Sequence, residues 1–176
     1  MLLVVDMLKG FLLPRGKDGV RFPLYCGKAA EQIVPRVRRR ILAANRAAAP
    51  VVFLCDRHAP EDPEFEMFPP HCIRGTEQAE IVEELAGVAK NAVVIPKTRF
   101  SGFFGTDLDR RLARWKPDVV EVVGVCTNIC VLYTVCELRA RYIPTHVPAD
   151  CVASFDRKAH DFALGEMKEV LGARVG

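Results

Sequence analysis

The chain has 176 residues, half of them hydrophobic and 27% charged, and carries a net charge of +3. That length suits one domain with a real core, expected over residues 1–176, and the composition excludes disordered and fibrous classes. Basic residues gather only at Arg36 and Arg38-Arg39-Arg40, so there is little electrostatic reason to expect nucleic acid or an anionic membrane as a partner.

The predicted elements alternate along the chain. Short Val- and Ile-rich runs at 2–6, 51–56, 92–97, 119–125 and 142–148 read as strands. Helical patterns fill 37–47, with Pro35 suited to a first turn, then 77–88, 106–115, 128–142 and 157–171. Strands that alternate with helices and are nearly continuous in apolar residues predict a three-layer α/β fold. Its sheet is mainly parallel, with five to six strands and helices on both faces. Residues 57–76 form the longest irregular segment, with four prolines and many charges and aromatics, and read as a functional loop. No uninterrupted apolar stretch is long enough to span a membrane, and Asp6 falls where a signal peptide needs an unbroken apolar run. Seven cysteines without an export signal are expected to stay reduced, in a cytoplasmic protein.

In an open parallel sheet, ligands bind beyond the carboxyl ends of the strands. Here those ends carry Asp6, Asp56 with His58, Lys97, and Cys126 with Cys130. Cys130 is expected in the first turn of a helix, capped by Thr127 or Asn128, where free N–H groups and the helix dipole favour a thiolate. Asp6 and Lys97 offer a base and a cation beside it. The bland alternative makes Cys126 and Cys130 small buried hydrophobes, and a thiol redox pair is a third reading. In the loop, Asp56, His58, Glu64 and His71 combine carboxylates and imidazoles, a donor set for zinc, iron or manganese, unless they are a solvated acidic surface. His146 and His160 read as strand-end and helix-surface residues. Glycine-rich phosphate or dinucleotide motifs and a Gly-x-Ser-x-Gly elbow are absent.

The segments VVDMLKGF, PKTRFSGFFGTDLD and GVCTNICV, in that order on successive strands, resemble the isochorismatase-like cysteine hydrolases from Leu3 to about Ser154. The resemblance implies a catalytic triad of Asp6, Lys97 and Cys130, a cis peptide between Val125 and Cys126, and an oxyanion hole from the N–H groups of Cys126 and Cys130. DRH followed by FPPHCIRGT resembles the metal loop of the nicotinamidase/pyrazinamidase subgroup. That implies Asp56, His58 and His71 as ligands, Glu64 as an addition, one divalent ion with zinc first, and Phe11 and Phe68 flanking the substrate ring. Where many nicotinamidases carry an acidic residue before the first aromatic, this chain has Gly10. The implied reaction is hydrolysis of a small carboxamide such as nicotinamide, in a homo-oligomer. A relative acting on another amide, a ureido group or an enol ether, and a non-catalytic binding protein, are the alternatives.

Overall fold

A computed structural model describes residues 1–89 and 91–176. The strands are β1 (Leu2–Val5), β2 (Val51–Asp56), β3 (Val93–Lys97), β4 (Val120–Val125), β5 (Thr145–Val147), β6 (Val152–Ala153) and β7 (Arg174–Val175). They form one parallel sheet in the order β3-β2-β1-β4-β5-β7, with β6 also paired to β4. The five expected strands are all present, and the two-residue β6 and β7 extend the sheet to seven. Neither is long enough to leave a periodic signal in the sequence.

The helices are α1 (Lys9–Leu12), α2 (Lys28–Arg46), α3 (Glu83–Ala86), α4 (Leu108–Trp115), α5 (Leu132–Ala140) and α6 (Arg157–Gly165). Side chains alternate across each strand, and both faces are dry. Leu2, Val4, Val51, Phe53, Val123 and Val125 join a core with Ile33, Val37 and Ile41 of α2. Leu3, Val5, Val52, Leu54, Val120 and Val122 join the opposite core with Leu112 of α4, Leu138 of α5 and Ala163 of α6. Burying each such aliphatic side chain contributes roughly 1.5–3 kcal/mol. Among the described residues, no helix is long and apolar enough to cross a membrane.

Local chemistry moved several boundaries. Helix α2 begins nine residues before the predicted start, so Pro35 lies inside it rather than in its first turn. Pro35 is exposed, so the hydrogen bond that its missing N–H denies the preceding turn is lost on the solvent side of the helix, where it costs least. The single helix expected over 77–88 is a 3₁₀ turn at Glu77–Ala79 followed by the short α3. Between them Ile81 makes a bridge to Leu8, and a tertiary contact interrupts the helical pattern. Beyond α6 the chain runs on as a π turn at Glu166–Val170.

The end of β4 requires a glycine. Gly124 has φ +118°, and a Cβ there would stand 2.0 Å from the Val5 carbonyl oxygen of β1. Substitution Gly124→Ala is therefore expected to destabilise the fold by about 3 kcal/mol or more. The check is the urea midpoint at unchanged slope; a loss below about 1 kcal/mol would mean that β1 and β4 yield at this point.

Candidate active site

Strand order reverses between β1 and β4, and four strand ends meet at that edge. Asp6 follows β1 with φ +49°, a left-handed conformation that Asp tolerates better than most residues. Asp56 ends β2, Lys97 ends β3, and Cys126 to Cys130 follow β4. The Val125–Cys126 peptide is cis. Thr127–Val131 then form a π turn that runs straight into α5.

Neither Thr127 nor Asn128 caps this turn as expected. The Thr127 hydroxyl instead lies 2.8 Å from His160 Nδ1, and Asn128 Oδ1 accepts a hydrogen bond from Ser154 Oγ at 2.5 Å. His160 is thus a support of the turn rather than a plain surface residue of α6. These contacts span 33 and 26 residues, so no local capping signal could encode them.

Lys97, wholly buried, occupies the centre of the cluster. Its Nζ donates to Asp56 Oδ1 at 2.5 Å and to Cys130 Sγ at 3.5 Å. It stands 2.7 Å from Asp6 Oδ2, an ion pair whose angles do not make a hydrogen bond. Asp6 Oδ1 accepts from the Asp56 N–H at 2.9 Å, which fixes the carboxylate. Asp6, Asp56 and Cys130 each have a polar atom within 4.8 Å of the others.

Burial and the charge of Asp56 raise the Asp6 carboxyl to about 6 against the pull of Lys97. Burial also opposes ionisation of Asp56, but Lys97 and His58 outweigh it and hold that group at about 2. For Lys97, burial favours the neutral amine; Asp56 and Asp6 overcome it and keep the ammonium well above the usual lysine range. Burial pushes the Cys130 thiol far up, and the two carboxylates cancel much of what Lys97 offers. Burial thus works against the thiolate that the helix dipole favours, and Lys97 works for it.

Beside this cluster, Asp56, His58 and His71 bring one donor atom each within 4.8 Å of one another. Asp56 faces both ways: Oδ1 meets Lys97, while Oδ2 lies 3.8 Å from His58 Nε2 and 3.9 Å from His71 Nε2. Glu64 stands outside the tight three-residue group, yet its Oε1 is 3.9 Å from His58 Nε2 and 3.8 Å from His71 Nε2. His58 Nδ1 is bound to Asp62 Oδ2 at 3.1 Å and His71 Nδ1 to the Pro69 carbonyl at 2.9 Å. Those partners turn both Nε2 atoms toward one point, as metal-ligating histidines require. His58 Nε2 and Glu64 Oε2 are buried without a hydrogen-bond partner. Two imidazoles and two carboxylates with orphaned donors fit a divalent ion such as zinc. Burial lowers the His71 pKa; burial also pulls His58 down, but Asp56 and Asp62 raise it by more.

Above both clusters lies a cavity of about 280 Å³, small beside typical ligand sites. Phe11, Phe68, Phe100 and Tyr25 line it, with Asp6, Asp56, Glu64, His71, Cys126 and Cys130 among the other lining residues. Phe11 and Phe68 both pack near His71, with ring centroids 5.7 and 6.5 Å away. Gly10 is not in this wall: a Cβ there would meet Gln78 Cβ at 3.0 Å and Cys72 Sγ at 3.1 Å. Asp62 escaped the sequence reading. An Asp directly before a proline at a helix start was a usable signal, because Asp62 accepts the Glu64 N–H at the head of the 3₁₀ turn Pro63–Glu66. Cys26, which also lines the cavity, left no signal at all.

Comparison with known proteins matches this architecture. Residues 1–175 fit the family model described as the isochorismatase domain. Nicotinamidase 1 of Arabidopsis thaliana is 33% identical over 189 residues, covering 99% of this chain and 75% of that protein. The crystal structure of nicotinamidase PncA from Bacillus subtilis superposes with a TM-score of 0.91 at 32% identity, covering 99% of this chain and 97% of that one. The pyrazinamidase of Pyrococcus horikoshii in complex with zinc superposes with a TM-score of 0.86 at 28% identity, covering 99% and 97%. The chain belongs to the isochorismatase family of hydrolases. Within that family it falls with the nicotinamidase and pyrazinamidase members, and it is an amidohydrolase.

The buried lysine is also a test of the cluster's energetics. Replacing it as Lys97→Met leaves two carboxylates in a dry site without a cation, expected to cost about 3–5 kcal/mol of stability near neutral pH. Urea unfolding measures it, and a loss under about 1 kcal/mol would contradict the central position given to the ammonium.

Proposed function

We propose that the chain is a nicotinamidase, hydrolysing nicotinamide to nicotinate and ammonia through a thioester on Cys130. The observation that carries this reading is the Lys97 ammonium set between Asp6, Asp56 and the Cys130 sulfur at the floor of an aromatic cavity. The protein's own lining of that cavity has carboxylates and no arginine. Arg99 is close in sequence to Lys97 but is spent on Asp62 at 2.8 Å. A carboxylate-bearing ureido or enol-ether substrate finds no arginine or lysine in the lining, and the Lys97 ammonium beneath it is already paired with two carboxylates, whereas a neutral ring carboxamide stacks between Phe11 and Phe68.

Asp6, with its raised affinity for protons, takes the proton from Cys130 Sγ as the sulfur attacks the carboxamide carbon. Lys97 Nζ steadies the sulfur as it becomes anionic, supplying the charge that burial otherwise denies. The carbonyl oxygen gains the negative charge, which the backbone N–H groups of Cys126 and Cys130 receive. Asp6 returns its proton to the departing amine, the C–N bond breaks, and ammonia leaves the acyl group on sulfur. Water, deprotonated by Asp6, then attacks the thioester and restores the thiol. Asp56, His58, His71 and Glu64 would hold a divalent ion, which supplies a positive seat for the pyridine ring nitrogen when bound.

Ammonia release from nicotinamide tests the chemistry. Cys130→Ala is expected to lose at least about a thousandfold in turnover. Cys126→Ala, which keeps the backbone N–H, should lose less than about tenfold. Equal losses in both variants would remove the division between a nucleophilic sulfur and an oxyanion donor. Metal analysis tests the second cluster separately: about one zinc per chain is expected in the purified protein, and His58→Ala or His71→Ala should abolish retention. Full occupancy in either variant would place the ion elsewhere.

A further inference from the structure

One pair of side chains beside the cavity takes no part in the reaction described above. Cys26 Sγ and Cys126 Sγ lie 3.2 Å apart, from segments separated by 100 residues. Both sulfurs are reduced and shielded from bulk solvent, yet both residues line the cavity, where a small solute can reach them. Cys26 Sγ also approaches the Leu24 carbonyl at 3.4 Å, so its S–H is directed there and the Cys126 S–H points at the Cys26 sulfur. Cys26 belongs to the wall Pro23–Cys26, and Cys126 heads the turn that carries Cys130.

We propose that Cys26 and Cys126 form a modification site, a dithiol that hydrogen peroxide converts to a disulfide tethering the cavity wall to the turn after β4. In the first step one thiolate sulfur attacks a peroxide oxygen, the O–O bond breaks, and a sulfenic acid forms as water leaves. The second sulfur attacks the sulfenic sulfur, the S–S bond forms, and the hydroxyl departs as a second water. Two electrons pass from the pair to the peroxide, and the two thiol protons end in water. The sulfurs already stand about 1 Å beyond bonding distance, so little movement is needed. Contact with Cys26 and burial push the Cys126 thiol well above the ordinary cysteine range, which lowers its thiolate fraction and slows the first step. A second thiol thus stands beside Cys126 besides the Cys130 considered from the sequence, and it is the sulfur of Cys26 that lies 3.2 Å from the Cys126 sulfur.

The tether does not depend on the amidase reading, and its test does not use activity. Wild-type protein is treated with hydrogen peroxide, alkylated and digested with trypsin without reduction. Cys126, Cys130 and Cys136 share one tryptic peptide, so fragment spectra assign the link, and a Cys130→Ala, Cys136→Ala variant leaves Cys126 as its sole thiol. The expected result is a Cys26–Cys126 linked peptide, 2 Da lighter than the two thiol peptides together and released by dithiothreitol. The oxidised protein should melt several degrees higher, because the link closes a loop of 100 residues. The idea fails if Cys26 still alkylates fully once the exposed Cys136 has been oxidised, or if Cys126 is found linked to Cys130.

Discussion

An ammonium without water dictates the form of this site. Lys97 has no solvent, so its charge persists only because Asp6 and Asp56 lie within ion-pair distance, and those carboxylates in turn depend on it. Each of the three ends a neighbouring parallel strand, in the order β3, β2, β1, and the sheet register brings them together. Asp56 pairs directly with Lys97 across β2 and β3, so the ion pair is part of the strand pairing itself. Gly124, pressed against Val5, completes the frame by letting β4 close on β1 and deliver the turn that carries Cys130.

The same lysine divides the labour of the two carboxylates. Asp56 accepts from the ammonium with one oxygen and turns the other toward two histidines, which keeps it ionised. Asp6 lies against that negative charge and becomes the more basic of the pair. One carboxylate is thereby suited to hold a cation and the other to move a proton. Asp56 links the two clusters physically, so a disturbance of the histidines reaches the sulfur through three contacts, His58 to Asp56, Asp56 to Lys97 and Lys97 to Cys130.

Aromatic packing governs access to both clusters. Phe68 meets Phe100 edge to face at 5.9 Å, and Phe100 in turn lies 5.7 Å from Tyr133 of α5. This row places apolar rings over a floor of charged groups, so a bound ring displaces water from the place where polar contacts gain most. Asp62 supports the arrangement from outside, since it orients His58, heads the 3₁₀ turn bearing Glu64 and holds Arg99 away from the cavity.

The chain's own pattern was sufficient for the parallel α/β plan, because strands buried on both faces leave short, nearly continuous apolar runs set between helical patterns. It also placed Asp6, Asp56, His58, Lys97 and Cys130 at strand ends, where the topology of any such sheet collects them. Beyond that, long-range contact decided the outcome. The break of the 77–88 helix follows from the Ile81 bridge to Leu8, and the support of the Cys130 turn comes from Ser154 and His160 rather than a local cap. The upward pull on the Cys130 thiol comes from burial beside two carboxylates, which no spacing of residues could state. Nor could spacing pair Cys26 with Cys126: propensity and periodicity act over a few residues, whereas contacts between distant segments, and the dielectric around them, exist only once the chain has packed.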